Sequence, residues 1–330
     1  MKQVLIILML LVSVIAIADD YPITSSTVSS LEWRLVGPAM TSGRIGDFAV
    51  NPDNHAEYYA AASSGGVWKT TDHGESWKPI FEKEISSSIG DIAIAPSNKD
   101  IIWVGTGESN IFRSSHAGCG IYKSIDQGKT FTHMGLENSN TISRIVVHPD
   151  NSDIVFVGVS GNEWTPNEER GFYKTTDGGE TWTRTLKKDD MTGVIDVDMD
   201  PTNPDILYAT TWQRTRLKWY DPRTYENHKN NGVWKSTDGG ENWKQLTNGL
   251  PLSKYMGRTG IDVARSNPDV VYAFVDDYEV AFKAKEGELD AYERPKVDVI
   301  KGATLYRSDD AGESWRQVSG LTEETKKYMS

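Results

Sequence analysis

Apolar and polar residues alternate along most of this chain in short runs, and the runs come in sets of four. The first run of each set ends in a turn: Ile45-Gly-Asp-Phe-Ala-Val-Asn-Pro52, Ile89-Gly-Asp-Ile-Ala-Ile-Ala-Pro96, Ile142-Ser-Arg-Ile-Val-Val-His-Pro149, Val194-Ile-Asp-Val-Asp-Met-Asp-Pro201 and Ile261-Asp-Val-Ala-Arg-Ser-Asn-Pro268. A second run follows each turn, as in Glu57-Tyr-Tyr-Ala-Ala, Ile101-Ile-Trp-Val-Gly, Ile154-Val-Phe-Val-Gly, Ile206-Leu-Tyr-Ala-Thr and Val270-Val-Tyr-Ala-Phe. Period-two runs rich in β-branched and aromatic residues, bounded by Gly, Pro, Asn and Asp, read as strands.

The third and fourth runs flank one recurring phrase. Its copies are Gly-Val-Trp-Lys-Thr-Thr-Asp72-His-Gly74-Glu-Ser-Trp77, Gly-Ile-Tyr-Lys-Ser-Ile-Asp126-Gln-Gly128-Lys-Thr-Phe131, Gly-Phe-Tyr-Lys-Thr-Thr-Asp177-Gly-Gly179-Glu-Thr-Trp182, Gly-Val-Trp-Lys-Ser-Thr-Asp238-Gly-Gly240-Glu-Asn-Trp243 and Leu-Tyr-Arg-Ser-Asp-Asp310-Ala-Gly312-Glu-Ser-Trp315. The Asp-to-Asp steps are 54, 51, 61 and 72 residues, a period that signals a stacked repeat. Asp accepts hydrogen bonds from its own turn and Gly supplies a positive φ, so each phrase is a stapled hairpin whose aromatic opens the next strand. Each unit then holds four strands, called A, B, C and D here, and four-stranded units repeated radially make an all-β propeller.

The phrase resembles the Asp box, Ser/Thr-x-Asp-x-Gly-x-x-Trp/Phe, of the bacterial neuraminidase repeat propellers. That superfamily includes sialidases, xyloglucan-hydrolysing glycosidases, sortilin-type receptors and photosystem II assembly factors. The resemblance covers residues 31–320 and implies that the box Asp, Gly and aromatic residues are structural. It also offers two tests of an enzyme. A sialidase-like Arg-Ile-Pro motif would make Arg44 a substrate-binding residue, but Gly46 stands where the Pro belongs. A xyloglucan-hydrolysing family general base would lie just before Gly65-Gly66, and Ser63 occupies that approximate place.

The ends of the chain carry expectations of their own. Basic Met1-Lys2, the apolar run Val4–Ile17 and Ala16-Ile-Ala18 read as a signal peptide over 1–18, and hence a secreted or periplasmic protein, with no membrane span in the mature chain. Residues 19–30 read as a linker and 321–330 as a tail. Glu32-Trp33-Arg-Leu-Val-Gly-Pro38 reads as an orphan strand D over 31–38. Six D strands against five sets of A, B and C imply either missing C-terminal blades or a five-bladed ring with a redundant first strand.

Composition narrows the partners. A formal charge of −12 argues against nucleic acid and anionic membranes, and the single Cys119 precludes an intramolecular disulfide. No phosphate loop, Cys/His cluster or nucleophile elbow is present in the sequence, and neither a metal nor a cofactor is implied. Asp196-x-Asp198-x-Asp200 begins like a calcium loop, yet the sixth position lacks Gly and the twelfth is Leu207.

Insertions gather in the B–C loops, on the face opposite the boxes, and one-sided insertions mark a binding face. There Trp164, Trp212, Trp219, Tyr220 and Tyr225 are candidates to stack on a carbohydrate or grip a peptide side chain. Glu108, Glu163, Asp221 and Glu226 are candidate acids and bases, since a glycosidase needs two carboxylates at a set separation. Alternatively, the rings fold the loops down and the carboxylates are solvated. Asp47, Asp91, Asp196 and Asp262 recur near the start of strand A, either as a polar ring at a central channel or as turn bonding repeated by duplication. Two functions follow: a scaffold binding glycan or protein through the B–C face, or a sialidase-like or xyloglucanase-like glycoside hydrolase.

Overall fold

The computed structural model describes Thr24 and residues 43–110, 115–213, 215, 228–290 and 292–320. The chain divides into Met1–Thr41, of which only Thr24 is described, and Ser42–Ser330. The expected signal peptide, linker (save Thr24), orphan strand and tail, together with Trp219, Tyr220, Asp221, Tyr225 and Glu226, lie outside the described residues.

Ser42–Ser330 holds five antiparallel four-stranded sheets, each ordered A-B-C-D, as the alternation predicts. Blade 1 is β1 Ile45–Val50, β2 Tyr58–Ala62, β3 Gly66–Thr70 and β4 Lys78–Pro79. Blade 2 is β5 Ile89–Ile94, β6 Ile102–Thr106, β7 Ile121–Ser124 and β8 Thr132–His133. Blade 3 is β9 Ile142–Val147, β10 Val155–Val159, β11 Gly171–Thr175 and β12 Thr183–Leu186. Blade 4 is β13 Thr192–Met199, β14 Leu207–Gln213, β15 Gly232–Ser236 and β16 Lys244–Leu246. Blade 5 is β17 Met256–Val263, β18 Val271–Phe282, β19 Val299–Ser308 and β20 Arg316–Gln317.

Three sequence expectations shift. Each strand D starts one residue after the box aromatic, which packs as a ring and does not pair. The charged stretch from Asp276 to about Lys301, which the sequence places in the B–C loop of blade 5, is loop only over 283–298, because β18 and β19 extend their hairpin. Blade 5 is also read in a different register. The amide of Ala264 donates to the carbonyl of Val270, just as Asn51, Ala95, His148 and Asp200 donate to the carbonyls six residues on. Gly260, paired with Phe274, therefore occupies the place of Asp47, Asp91, Arg144 and Asp196, and Asp262 sits two residues further on, level with Asp198. Pro268 misled the alignment: its counterpart is Pro204 of blade 4, not the Pro that follows strand A in the other blades.

The core lies between blades. Ala49, Tyr59, Ala61 and Val67 of blade 1 pack on Ile89, Ile92, Ile102 and Val104 of blade 2, and equivalent apolar clusters join each later pair of blades. Burying each seam's apolar area is the main favourable term holding the stack together. The box aromatics contribute to the seam behind them: Phe131 meets Phe81 at 4.8 Å, Trp182 meets Trp103 at 6.1 Å and Trp243 meets Phe172 at 4.7 Å between ring centroids, all edge-on.

A polar clamp also repeats at these seams. The strand-C Lys of one blade reaches the box turn of the next: Lys123 Nζ bonds the Gly178 carbonyl at 3.0 Å and Lys235 Nζ the Ala311 carbonyl at 2.7 Å. Lys69 does the same to Gln127 at 3.4 Å, and Lys174 bonds Glu241 at 2.6 Å beside Gly239. Each ammonium also lies over the strand-B ring of its own blade, Tyr59, Trp103, Phe156 or Tyr208. The signal was in the sequence, as a Lys in four of the five phrases.

Candidate functional site

The box aspartates are saturated by their own hairpins. In blade 2, Ser124 Oγ and the amides of Lys129 and Thr130 donate to Asp126 Oδ1 at 2.8, 3.0 and 2.9 Å, and Thr130 Oγ1 donates to Oδ2 at 2.6 Å. Ser124 Oγ in turn accepts the Gly128 amide at 2.8 Å. Asp72, Asp177, Asp238 and Asp310 repeat the arrangement. These bonds favour the ionised carboxylate and hold Asp72, Asp126, Asp238 and Asp310 down at about 2, with Asp177 also lowered.

The start of each strand A faces inward. A bulge just ahead of Asp47, Asp91 and Asp196 turns their carboxylates toward the neighbouring blade. There they accept main-chain amides of the next strand A: Ile145 to Asp91 at 2.6 Å and Ile261 to Asp196 at 3.0 Å. Asp198 does likewise for Val263 at 2.6 Å. Asp200 caps its own turn, accepting Thr202 and Asn203 amides at 2.8 and 3.1 Å, so the three acids of the calcium-like run are each used by backbone. Gly90 lets the inner strands close up: a Cβ there would lie 1.9 Å from the Ile142 carbonyl oxygen.

Blade 3 has Arg144 in this position, and it joins the acids on either side. Its Nε donates to Asp196 at 2.8 Å and its Nη1 lies 3.6 Å from Asp91. Burial works against the charge, but Asp196, Asp91 and Asp47 outweigh it and raise the Arg144 pKa. Burial pushes Asp91 well up and Asp47 up, despite Arg144. Asp91, Arg144 and Asp196 line a polar cavity of about 110 Å³ with Ser109, Asn110, Ser143 and Arg258.

The B–C loops form the rim on the same side as these strand starts. Arg44, at the head of β1, donates Nε to Glu108 Oε1 at 2.6 Å. Glu108 is fully buried, so this carboxylate is neutralised inside the protein and does not face solvent. Ser63 is also fully buried, its amide bonded to the Arg44 carbonyl at 2.8 Å. Trp212 belongs to β14, opposite Gly193, and is half-buried there, which corrects its expected place in a loop.

Trp164 is different. The residue is 46% exposed, and it shares a cleft of about 40 Å³ with His116, Asn140, Asn162 and the buried Glu163. Asn162 organises this corner. Its Oδ1 accepts the amides of Trp164 and Thr165 at 2.7 and 3.2 Å, and its Nδ2 donates to Asn140 Oδ1 at 3.2 Å. Arg170 is buried beneath, donating to the Ser160, Asn162 and Thr165 carbonyls, so the loop is fixed from within. The structure thus pairs Arg44 with Glu108 and places Trp164 beside Glu163. It leaves Trp212 in a strand.

Comparison with known proteins bears on this architecture. The sequence profile described as Sortilin-Vps10, "Sortilin, neurotensin receptor 3", matches residues 119–283, half of the chain. The chain belongs to the Sortilin-Vps10 family. It is also similar to the xyloglucanase Xgh74A of Acetivibrio thermocellus, 26% identical over 58% of this chain and 20% of that protein. A xyloglucanase of a Paenibacillus species is 22% identical over 74% of this chain and 22% of its own length. The chain therefore spans about a fifth of the curated relatives it matches. Among solved structures, an ancestral GH74 enzyme superposes with TM-score 0.60 at 19% identity, covering 84% of this chain and 32% of that one. The GH74 enzyme of Niastella koreensis gives 0.54 at 21%, covering 83% and 38%. The Asp-box propeller fold read from the repeats is the fold of these neighbours. Among the described residues, no helix is long and apolar enough to cross a membrane.

Proposed function

We propose that this protein is a binding scaffold that holds a glycan on its B–C loop face, with Trp164 as the stacking platform. The observation that carries the reading is the exposed Trp164 ring beside a cleft lined by Asn140, Asn162, His116 and Glu163. A sugar offers an apolar C–H face and a fringe of hydroxyls. An aromatic ring next to amides and a carboxylate supplies the complement to both. The names of the xyloglucanase relatives support a carbohydrate over a protein ligand.

The second reading is a glycoside hydrolase, favoured by those same names. It needs two working carboxylates. Of the described candidates, Glu108 is buried against Arg44, and buried Ser63 holds the place where the resemblance expects a general base. Both points favour binding over hydrolysis. The test is a titration of the protein with xyloglucan and other plant and bacterial polysaccharides, with released reducing sugar measured in parallel. Saturable binding without release supports the scaffold; release by the wild type overturns it in favour of the hydrolase. Binding only to a peptide library would overturn the glycan reading.

A further inference from the structure

Each strand A carries one residue more than strand B can pair, always near its start. The extra residue is Gly46, Gly90, Ser143 and Ile195 in blades 1 to 4, and in blade 5 Gly257 and Arg258 share the span opposite Asp276. A bulge bends its strand and re-aims a side chain. Here the five bulges converge. Gly46, Gly90, Ser143, Ile195 and Arg258 all line the polar cavity of about 110 Å³ that Asp91, Arg144 and Asp196 also line. The B–C loop of blade 2 adds Ser109 and Asn110. No residue of this cavity belongs to the Trp164 cleft.

The side chains left uncommitted in this cavity are rich in donors. Asp196 is already in use: it accepts Arg144 Nε at 2.8 Å and the amides of Val197 and Ile261 at 3.1 and 3.0 Å. Asp91 accepts the Ile145 amide at 2.6 Å, and burial pushes its carboxyl well up, toward the neutral form. The Ser143 hydroxyl lies 3.0 and 2.7 Å from the Gly158 and Val194 carbonyls, and Ser109 donates to the Gly90 carbonyl at 3.2 Å. Among the described residues, the Asn110 side-chain amide and the Arg258 guanidinium make no hydrogen bond. Arg258 is exposed and brings five N–H donors in a planar fork. With Asp91 neutral, the two guanidinium groups outnumber the one remaining carboxylate, and the lining is net positive.

We propose that this cavity binds a tetrahedral oxyanion, a phosphate or sulfate group, gripped by the Arg258 fork with the Asn110 amide as a second donor. A planar guanidinium meets two oxygens of such a group at once, and charge-assisted bonds are roughly twice as strong as neutral ones. A volume of about 110 Å³ is the share of three or four water molecules at roughly 30 Å³ each, which is room for one such group. Gly46 gives the wall no side chain, and even a Cβ there would meet Ser63 Oγ and the Ile89 and Gly90 carbonyl oxygens at 3.4 Å. A free ion and an ester on a larger molecule present the same oxygens, and the choice of probe separates them.

Calorimetric titration of the full chain in a chloride buffer tests this, with inorganic phosphate, inorganic sulfate and glucose 6-phosphate as probes and acetate as the planar control. Inorganic phosphate should bind saturably. Arg258→Ala should weaken it about tenfold or more, and Arg258→Lys by less, because the ammonium keeps the charge and loses the fork. Asn110→Ala should weaken it severalfold. Arg258 is exposed, so both of its variants should keep the wild-type thermal melt. Trp164→Ala, outside this cavity, should bind phosphate as the wild type does. Glucose 6-phosphate bound with the same Arg258 dependence, when the free ions are not, supports the same grip and assigns it to an ester on a larger ligand. Three outcomes overturn the proposal: no binding of any of the three probes, binding unchanged in both Arg258→Ala and Asn110→Ala, or acetate bound as tightly as phosphate.

Discussion

Arg144 Nε bonds Asp196 Oδ1 at 2.8 Å across the seam between blades 3 and 4, while the same guanidinium lies 3.6 Å from Asp91 of blade 2. One cation thus ties three inner strands and offsets the acids that the repeat places around them. Replacing it with Ala leaves those acids facing each other. Arg144→Ala should lower unfolding free energy by about 2 kcal/mol, less than a fully dry pair would lose because the guanidinium keeps some contact with water. Arg144→Lys, which keeps the charge but not the planar fork, should lose less. Urea unfolding at neutral pH measures both.

Asp198 predicts a pH dependence in the mildly acidic range. Burial pushes its carboxyl up to about 6, against the pull of the Val263 and Met199 amides. The fold therefore favours the protonated form. That contribution is complete below the ordinary value of 3.8 and is lost as pH rises through about 6. Asp198→Asn keeps an acceptor without the charge. Between those two pH values its stability should gain on the wild type by on the order of 1 kcal/mol, read from denaturation midpoints.

The box aspartates predict the opposite slope at lower pH. Asp126 is held at about 2 by Thr130 hydroxyl and amide bonds, so its contribution is present above 3.8 and lost as pH falls through about 2. Asp126→Asn should be less stable than the wild type at neutral pH, and the gap should close on acidification toward the lower value. Thermal melts across that range check it; a gap independent of pH would count against the staple.

The seam clamp makes a separate prediction. Lys235 bonds the Ala311 carbonyl at 2.7 Å and lies over Tyr208. Lys235→Met keeps most of the apolar stem but leaves that carbonyl without its cationic donor. The expected loss is about 1–2 kcal/mol, with hydrogen exchange rising first at the seam of blades 4 and 5.

The repeats made the blades legible because each strand and turn is a local matter of alternation, Gly and Asp. What escaped was non-local. The reach of Arg144 to two other blades depends on how strands from distant residues curl around one cavity. Gly260 hides the blade 5 register because its missing side chain is the missing acid, and Pro268 supplies a false landmark. Trp164 and Trp212 look alike in sequence, yet pairing extends β14 through Trp212 and leaves only Trp164 on an exposed loop.

Trp164 is the proposed platform of a glycan site. The residue is about half exposed, so Trp164→Ala should leave the thermal melt within a degree or two of the wild type. Calorimetric titration with the polysaccharide that the wild type binds is the direct measurement. Trp164→Ala should lose at least tenfold in affinity, about 1.4 kcal/mol or more, with the fold intact. Equal affinity in the two proteins would contradict it.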